Sequence, residues 1–298
     1  MEQFNRTALL PFEEIKDQLS LASLVYNFNI DLKIKKKEDK YDLKNLDLSK
    51  LKLGKKREKM ITNALEKSPN AELVDFFETS AGAQVGVTIS HALKRISVIF
   101  RGSNQAIDWL HDFMICKREI EDGISVHLGF YKTLMKEDLF NKLLDSIKLL
   151  LEEYKDYSLV LSGHSLGGGM CTLFGYLIAD KISNNITVIS FASPRVGNEK
   201  WAKKFNNLKN IRHFRIVNQK DIVTAMPYIG FYHCGNLINI NSSNKLSFLA
   251  FPLCIDTSHL IKTYNPFDHL IENYYDNLEC CKWNSDNKYC NSVDVLLI

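Results

Sequence analysis

A Gly-x-Ser-x-Gly pentapeptide centred on Ser165 is the strongest chemical signal in the sequence. Gly163 and Gly167 lie two residues to either side of the serine. This spacing is typical of a nucleophile at a sharp strand-to-helix turn, where strained backbone geometry leaves room only for hydrogen side chains. A helix that begins at about Leu166 would direct free N–H groups toward negative charge developing in acyl transfer. The pattern therefore predicts Ser165 as a nucleophile.

The segments on either side of the pentapeptide fit such a turn. Residues 157–161 are predicted as a short apolar strand, and residues 166–181 as a largely apolar helix. The pentapeptide by itself would also fit a glycine-rich turn with an idle serine, because so short a motif occurs by chance. The strand and the helix together favour the catalytic interpretation.

A serine nucleophile needs a carboxylate as well as a histidine, since the carboxylate orients the imidazole and stabilises its charged form. In α/β-hydrolases the chain order is nucleophile, acid, base. Asp221 follows the predicted strand 211–217, which is where a strand-end loop would place the acid. Glu199, at a helix start, and Asp256, in a late loop, are better explained by capping and solvation. Asp221 is therefore the predicted acid.

Three histidines downstream of the acid are candidates for the base. His233 begins a predicted strand, 232–240, and is interpreted as a packed histidine. His269 opens the predicted final helix after the last strand, and we favour it, while His259 remains a rival. His164, beside the nucleophile, is interpreted as support for the turn and not as the proton acceptor.

Two donors must stabilise the oxyanion of an acyl-transfer intermediate. The N–H of Leu166 is predicted as one, because it follows the nucleophile. Ser103 is predicted as the other, since it offers an N–H and a hydroxyl after a strand, and Gly102 permits close backbone approach. The following stretch, 104–112, is short and amphipathic, and we predict a lid with three apolar side chains, Ile107, Trp109 and Leu110. An ordinary surface helix with a buried tryptophan is the alternative.

Strands and helices alternate through the middle of the chain. Strands are predicted at 72–79, 84–90, 95–100, 186–191 and 211–217, and helices at 12–28, 138–154 and 199–208. The first of these helices is amphipathic and should cover one face of the domain. The alternation predicts an α/β fold in which a mainly parallel central sheet is flanked by helices. Active groups are expected on loops at the carboxyl ends of the strands.

Composition favours one large globular domain. The chain has 298 residues, of which 45% are hydrophobic and 24% charged, enough for a single sheet of about eight strands with its helices. We predict this domain over 71–278, an N-terminal helix and basic insertion packed on it over 1–70, and a tail over 279–298. The net charge of +3 is too small to indicate a nucleic-acid partner.

Targeting signals and metal-binding patterns are absent from the sequence. The first residues lack a basic leader followed by an apolar stretch, and no apolar run approaches the roughly 20 residues that span a bilayer. The seven cysteines are an odd number, which favours a reducing compartment, and a cytoplasmic location is expected. Cys280, Cys281 and Cys290 could form a disulfide or metal cluster with Cys254, but their spacing fits no zinc pattern. We therefore expect no metal or cofactor.

The segment 33–59 is strongly basic, with twelve Lys or Arg against five Asp or Glu. It is interpreted as a solvated, partly mobile insertion. The alternative is a patch that attracts the protein to anionic lipid surfaces.

Five motifs in a fixed order resemble those of the class 3 lipases, the fungal triacylglycerol lipase family. They are FRGS at 100–103 with DW at 108–109, VHLGF at 126–130, GHSLGG at 163–168, ASPRVGN at 192–198, and VN at 217–218 with DIV at 221–223 and Pro227. The resemblance runs from about residue 73 to 278. It implies an α/β-hydrolase fold that acts on carboxylic esters of acylglycerols or phospholipids. The tyrosine that usually follows the family's histidine by three residues is found here only at Tyr274.

The resemblance also implies roles for individual residues: Ser165 as nucleophile, Asp221 as acid, His269 as base, Ser103 and Leu166 as oxyanion donors. The leading hypothesis is a serine hydrolase that cleaves lipid esters through an acyl-enzyme, with transient contact to a membrane or lipid-droplet surface. A phospholipase A, or an esterase of soluble substrates, is the alternative. A catalytically silent lipase-like scaffold is the third possibility.

Overall fold

A ten-stranded sheet with helices packed on both faces makes up most of the described chain. The computed structural model describes residues 6, 10–27, 36–37, 40–42, 54–67, 71–80, 82–102, 116–218, 221–240, 246–249 and 265–280. The helices are α1 (Phe12–Asn27), α2 (Lys55–Lys67), α3 (Leu128–Met135), α4 (Leu139–Glu153), α5 (Leu166–Ile178), α6 (Glu199–Asn207) and α7 (Ile271–Cys280). Short 3-10 turns lie at Lys136–Asp138, Ile222–Ala225 and Pro266–His269.

The sheet is parallel in its centre and antiparallel at both edges. Its strands are β1 (Lys36–Lys37), β2 (Lys40–Asp42), β3 (Ala71–Glu78), β4 (Gln84–Ser90), β5 (Arg95–Phe100), β8 (Ser158–His164), β9 (Ile186–Phe191), β10 (Ile211–Asn218), β11 (Asn236–Ile240) and β12 (Leu246–Leu249), in that spatial order. A separate hairpin pairs β6 (Lys117–Glu121) with β7 (Ile124–His127). Strands β5, β8, β9, β10 and β11 run parallel. The predicted α/β class with a parallel centre is confirmed, with ten strands in place of about eight.

The central strands are buried on both faces, so their side chains alternate between two separate cores. Val98 and Leu161 pack into the core beneath α3, α4, α5 and α6. Ile99 and Val160 pack into the core beneath α1, α2 and α7. Double burial explains why these strands are near-continuous apolar runs in the sequence.

Several predicted boundaries were wrong, including the end of the strand predicted over 157–161, which continues to His164. The predicted strand 232–240 begins only at Asn236, because Gly235 has a φ of 75° and interrupts the extended backbone. His233 therefore lies ahead of β11, where its Nε2 is 2.8 Å from the carbonyl oxygen of Thr224. The helix predicted over 166–181 ends at Ile178.

Helix α1 is more deeply buried than an amphipathic covering helix would be, because every residue from Ile15 to Tyr26 is buried. Polar side chains on this helix find partners in the sheet. Gln18 Nε2 donates to Ser97 Oγ at 3.0 Å and Gln18 Oε1 accepts from Ser162 Oγ at 2.8 Å. Asp17 forms a buried ion pair with Arg95 of β5. Helix α1 is thus an inner layer of the fold, and its polar groups fix its position on the sheet.

Part of the basic segment 33–59 is neutralised within the molecule. Lys56 and Arg57 of α2 form ion pairs with Asp276 and Glu272 of α7, respectively. These two side chains are therefore committed to joining α2 to α7. A lipid-attracting role for this segment stays an untested alternative, and half of its remaining basic residues lie outside the described ranges.

Membrane crossing and metal binding each require a particular local structure, and the described ranges contain neither. None of the helices there combines the length and the apolar character that crossing a bilayer requires. No cluster of three or more metal-ligating side chains occurs among these residues. Cys116, Cys171, Cys234 and Cys280 are free thiols, whereas Cys254, Cys281 and Cys290 lie outside the described chain.

The buried ion pair between α1 and β5 should be a major determinant of stability. In Asp17→Asn the Arg95 guanidinium remains buried without its counter-charge, and we expect the free energy of unfolding to fall by about 3–5 kcal/mol. Urea denaturation monitored by circular dichroism measures this change. The control is Asp156→Asn, which breaks the exposed pair with Lys94 and should leave the urea midpoint unchanged. Equal midpoints for both variants would contradict the assigned role of Asp17.

Candidate active site

Ser165 occupies a strained turn between β8 and α5. Its backbone has φ 60° and ψ −125°, a region that costs a residue other than glycine about 1–3 kcal/mol. The Ser165 N–H donates to the Phe191 carbonyl of the neighbouring strand at 2.9 Å, which anchors the turn. A Cβ atom on Gly167 would overlap the carbonyl group of Phe100, and one on Gly163 would overlap the backbone of Gly167. The predicted turn and its need for flanking glycines are confirmed.

The structure brings Ser165, His269 and Asp221 into one hydrogen-bonded chain. His269 Nε2 is 2.9 Å from Ser165 Oγ, and His269 Nδ1 is 2.9 and 3.0 Å from the two carboxylate oxygens of Asp221. A carboxylate can only accept, so Nδ1 carries the proton and Nε2 accepts from the serine hydroxyl. This is the arrangement in which a histidine can remove the proton of a serine.

Asp221 is fully buried and receives two further hydrogen bonds. The N–H of Val223 donates to Oδ1 at 2.9 Å, and the hydroxyl of Tyr274 donates to Oδ2 at 2.7 Å. Burial and the neighbouring Asp221 charge raise the pKa of Tyr274 well above its ordinary value, so the phenol remains a donor. The same phenol oxygen accepts from the Asn218 N–H at 3.0 Å. Tyr274 therefore links the acid to the end of β10.

The turn Pro266–His269 places the histidine directly before α7. The Asn218 side-chain amide donates to the Asp268 carbonyl at 3.0 Å, and its own oxygen accepts from Asn277 of α7 at 3.0 Å. Asn218 belongs to β10, the strand that precedes Asp221. One strand end therefore holds both the acid and the loop that presents the base.

His164 supports the site from beneath and takes no part in the Ser-His-Asp chain. Its Nε2 donates to the backbone carbonyl of His269 at 2.9 Å, and the two imidazole centroids are 5.0 Å apart. Burial, followed by the proximity of His269, lowers the pKa of His164 well below its ordinary value. The side chain is therefore neutral near pH 7. Its supporting role agrees with the sequence-based interpretation, although its contact is to the histidine loop.

Several predicted site residues do not take part in the hydrogen bonds that join Ser165, His269 and Asp221. Leu166 begins α5, where the first N–H groups of a helix have no partner within it. Glu199 is exposed at the start of α6 and pairs with Lys203 at 2.7 Å. His233 bonds the Thr224 carbonyl. The other predicted donor, the lid residues and the rival base and acid lie outside the described residues: Ser103, Ile107, Trp109, Leu110, His259 and Asp256.

Sequence reasoning missed the contributions of Tyr274 and of the Asn218 side chain. The spacing of Tyr274, five residues after His269, gave no direct signal because the 3-10 turn and the helix start intervene. Asn218 belongs to the motif VN at 217–218, yet the sequence reasoning gave its side chain no role. Its position at the end of a strand, shortly before Asp221, was the available signal.

The serine is buried, and the loops that carry the acid and the histidine expose apolar side chains. Ser165 has 0% of its surface exposed, so an ester reaches its hydroxyl only after a rearrangement around the site. Large apolar side chains are exposed in the two loops that carry the acid and the histidine. These are Tyr228, Ile229, Phe267 and Leu270, with exposed fractions of 62%, 59%, 68% and 43%. We call these four residues the apolar rim.

The chain is similar to known lipases and phospholipases. The family profile Lipase (class 3) matches residues 97–231. Phospholipase A1-IIgamma of Arabidopsis thaliana is 30% identical over 57% of this chain and 47% of its own length. Secreted mono- and diacylglycerol lipase A of Penicillium cyclopium is 29% identical over 57% of this chain and 56% of its own length. The matched part of the chain thus spans about half the length of these relatives.

The fold is shared with solved lipases over most of the chain. Lipase II from Rhizopus niveus superposes with a TM-score of 0.69 at 20% sequence identity, covering 87% of this chain and 92% of that one. The predicted α/β-hydrolase fold is thereby confirmed. Over residues 97–231 the chain is also similar to the class 3 lipase family.

Proposed function

We propose that this protein hydrolyses carboxylic ester bonds of lipids through a covalent acyl-enzyme. The observation that carries the proposal is the hydrogen-bonded chain from Ser165 Oγ through His269 to Asp221 at a strained turn. Its chemistry needs no metal or cofactor, since the serine supplies the nucleophile and the histidine moves the proton.

In the first half of the reaction the Ser165 oxygen attacks the ester carbonyl carbon, and its proton passes to His269 Nε2. The negative charge on the former carbonyl oxygen faces the N-terminus of α5, where the Leu166 N–H stabilises it. Asp221 stabilises the imidazolium that forms. His269 then gives its proton to the ester oxygen, the carbon–oxygen bond breaks, and the alcohol leaves.

In the second half a water molecule attacks the acyl carbon while His269 Nε2 removes its proton. The bond between the acyl carbon and Ser165 Oγ then breaks, and the proton returns from His269 to the serine. The products are the carboxylic acid and free enzyme. Each half uses the same donors and the same histidine, so one arrangement serves both.

Support for a lipid substrate comes from the apolar rim and from the relatives. The rim lies in the loops that carry Asp221 and His269, where apolar side chains are poorly matched to water but well matched to acyl chains. The relatives' names include both a phospholipase A1 and a mono- and diacylglycerol lipase. We propose transient contact of the rim with a membrane or lipid-droplet surface, and the rearrangement that uncovers Ser165 as the event coupled to it.

The relative with 30% identity favours a phospholipase A1 as the second candidate. Rates on dioleoylglycerol, phosphatidylcholine and a short soluble ester, compared at equal ester concentration, separate the candidates. A silent scaffold is disfavoured because the serine, histidine and carboxylate are already in hydrogen-bonding contact.

Replacement of the nucleophile should abolish turnover. In Ser165→Ala we expect hydrolysis of p-nitrophenyl butyrate to fall by about 1,000-fold or more, because no acyl-enzyme can form. Labelling by a fluorophosphonate probe should disappear as well. The matched control is Ser190→Ala, since Ser190 Oγ is also buried and 2.8 Å from a histidine, His213. Undiminished turnover in Ser165→Ala, or lost turnover in the control, would contradict the assignment.

Removal of the phenol that bonds the acid should slow catalysis. Tyr274→Phe leaves Asp221 with one donor fewer, so the carboxylate orients His269 less firmly, and we expect kcat/KM to fall by about 10-fold. The control is Tyr275→Phe on the adjacent, also buried, tyrosine, which faces Lys16. Steady-state kinetics on a soluble ester check this expectation. Equal kcat/KM values for the two variants would show that Tyr274 has no part in orienting the acid.

A charge in the apolar rim should weaken action at lipid surfaces alone. Phe267→Glu places a carboxylate where the rim would meet acyl chains, so we expect activity on dioleoylglycerol emulsions to fall by about 10-fold. Activity on a soluble ester should not change. Leu149→Glu is the matched control, because Leu149 of α4 is also 68% exposed. Identical losses from the two changes would remove the rim from the proposal.

A further inference from the structure

The hydroxyl of Tyr26, near the end of α1, contacts the His164 imidazole and the Gly102 backbone. It is 3.0 Å from His164 Nδ1, and the backbone of Gly102 hydrogen-bonds the same oxygen. The side chain is buried, with 9% of its surface exposed. Tyr26 lies outside residues 97–231, the part matched by the family profile.

The direction of the hydrogen bonds through His164 is fixed by chemistry. Its Nε2 faces the carbonyl oxygen of His269, which can only accept, so the proton of the neutral ring is on Nε2. Nδ1 is then an acceptor, and the Tyr26 hydroxyl must be its donor. Burial raises the pKa of Tyr26 above its ordinary value, which keeps the donor protonated. A directed chain therefore runs from Tyr26 through His164 to the backbone of the catalytic histidine.

The second contact of Tyr26 reaches the segment expected to supply an oxyanion donor. Gly102 is the second residue after β5 and directly precedes Ser103 in the sequence. A Cβ atom on Gly102 would lie 2.5 Å from the carbonyl oxygen of His164 and would also overlap the Tyr26 hydroxyl. The Gly102 backbone is thus in close contact with both the turn that precedes Ser165 and the Tyr26 hydroxyl.

The ring of Tyr26 is itself held by charged neighbours. The guanidinium carbons of Arg57 and Arg101 each lie 5.9 Å from its centroid. Arg57 also pairs with Glu272 in the first turn of α7, directly after the His269 turn. These contacts restrict the ring, so the position of its hydroxyl is defined by α2 and α7 as well as by α1.

We propose that Tyr26 is a positioning residue, whose hydroxyl fixes the Gly102 segment and, through His164, the backbone of His269 in the geometry that ester hydrolysis requires. The inference rests on the proposed function and extends it to helix α1. Tyr26 does not touch the reacting atoms. It acts by keeping the oxyanion segment and the base at a constant separation, on which the rate depends steeply.

Tyr26→Phe tests this role because it removes the hydroxyl and keeps the ring. We expect kcat on p-nitrophenyl butyrate to fall by about 10- to 100-fold while KM stays within about twofold. The thermal midpoint should match that of the control, Tyr176→Phe, which removes a buried hydroxyl bonded to Glu121 at 2.9 Å. The control lies on α5 about 15 Å along the helix axis from its start and should keep the wild-type kcat.

A second set of variants tests the path through His164. Gln has a donor and an acceptor that can bridge Tyr26 to the His269 carbonyl, so His164→Gln should retain more of the wild-type kcat than His164→Leu. If Tyr26 acts through His164, then adding Tyr26→Phe to the His164→Leu variant should lower kcat by a smaller factor than adding it to the wild-type chain. Full additivity of the two changes would contradict a path through His164.

The outcomes separate the two proposals. If the wild-type chain neither hydrolyses esters nor reacts with a fluorophosphonate, the proposed function fails. If the wild-type chain is active and Tyr26→Phe keeps its kcat, the positioning role is overturned while the function stands. The positioning role is likewise overturned if Tyr26→Phe and Tyr176→Phe lose kcat to the same extent and show the same drop in thermal midpoint.

Discussion

The left-handed backbone of Ser165 is the constraint on which the active site depends. It directs the serine hydroxyl away from β8 and lets α5 begin at the next residue. Such a conformation persists only where its surroundings hold it in place. Here the N–H of the serine is held by Phe191 of β9, and Gly167 lies against the Phe100 carbonyl of β5. Three parallel strands therefore define the position of the nucleophile.

The two faces of the sheet contribute differently to the site. Helices α3 to α6 cover a largely apolar core, and α5 supplies the N–H groups beside the serine. The opposite face carries α1, α2 and α7. Their side chains contact His164, join α2 to α7, and donate to the Asp221 carboxylate. Buried polar groups of this kind are stabilising when each has a partner. In the proposed reaction, one face thus supplies the oxyanion donors and the other places the base.

A second buried serine–histidine pair shows what distinguishes the active site. Ser190 Oγ is 2.8 Å from His213 Nε2, close to the corresponding distance at Ser165. The other ring nitrogen of His213 faces the thiol of Cys234 at 3.6 Å in place of a carboxylate. Burial lowers the pKa of His213 well below its ordinary value, so this ring resists protonation. The Ser190–His213 pair thus lacks the neighbouring carboxylate that orients His269 and would stabilise its imidazolium.

Local signals in the sequence were sufficient to predict the turn at Ser165 and the alternation of strands and helices. Asp221 and His269 were also predicted, because chain order and strand ends limit where an acid and a base can lie. The edge strands β1, β2 and β12 were not predicted, since strands this short carry little periodic signal. The contact of Tyr26 with His164 joins residues 138 positions apart. No local pattern encodes such a contact, and the apolar spacing of α1 indicated only a covering helix.

The ion pair between Arg57 and Glu272 joins residues 215 positions apart in the chain. During synthesis α2 leaves the ribosome long before α7 exists, so its contact with α7 can form only after the intervening strands and helices have been made. Closing so large a loop is slow compared with forming local helices. The nascent protein therefore passes through a stage in which the serine turn can form but the histidine cannot yet reach it. In the proposed reaction, a ribosome-bound chain can therefore act on esters only after α7 has been made.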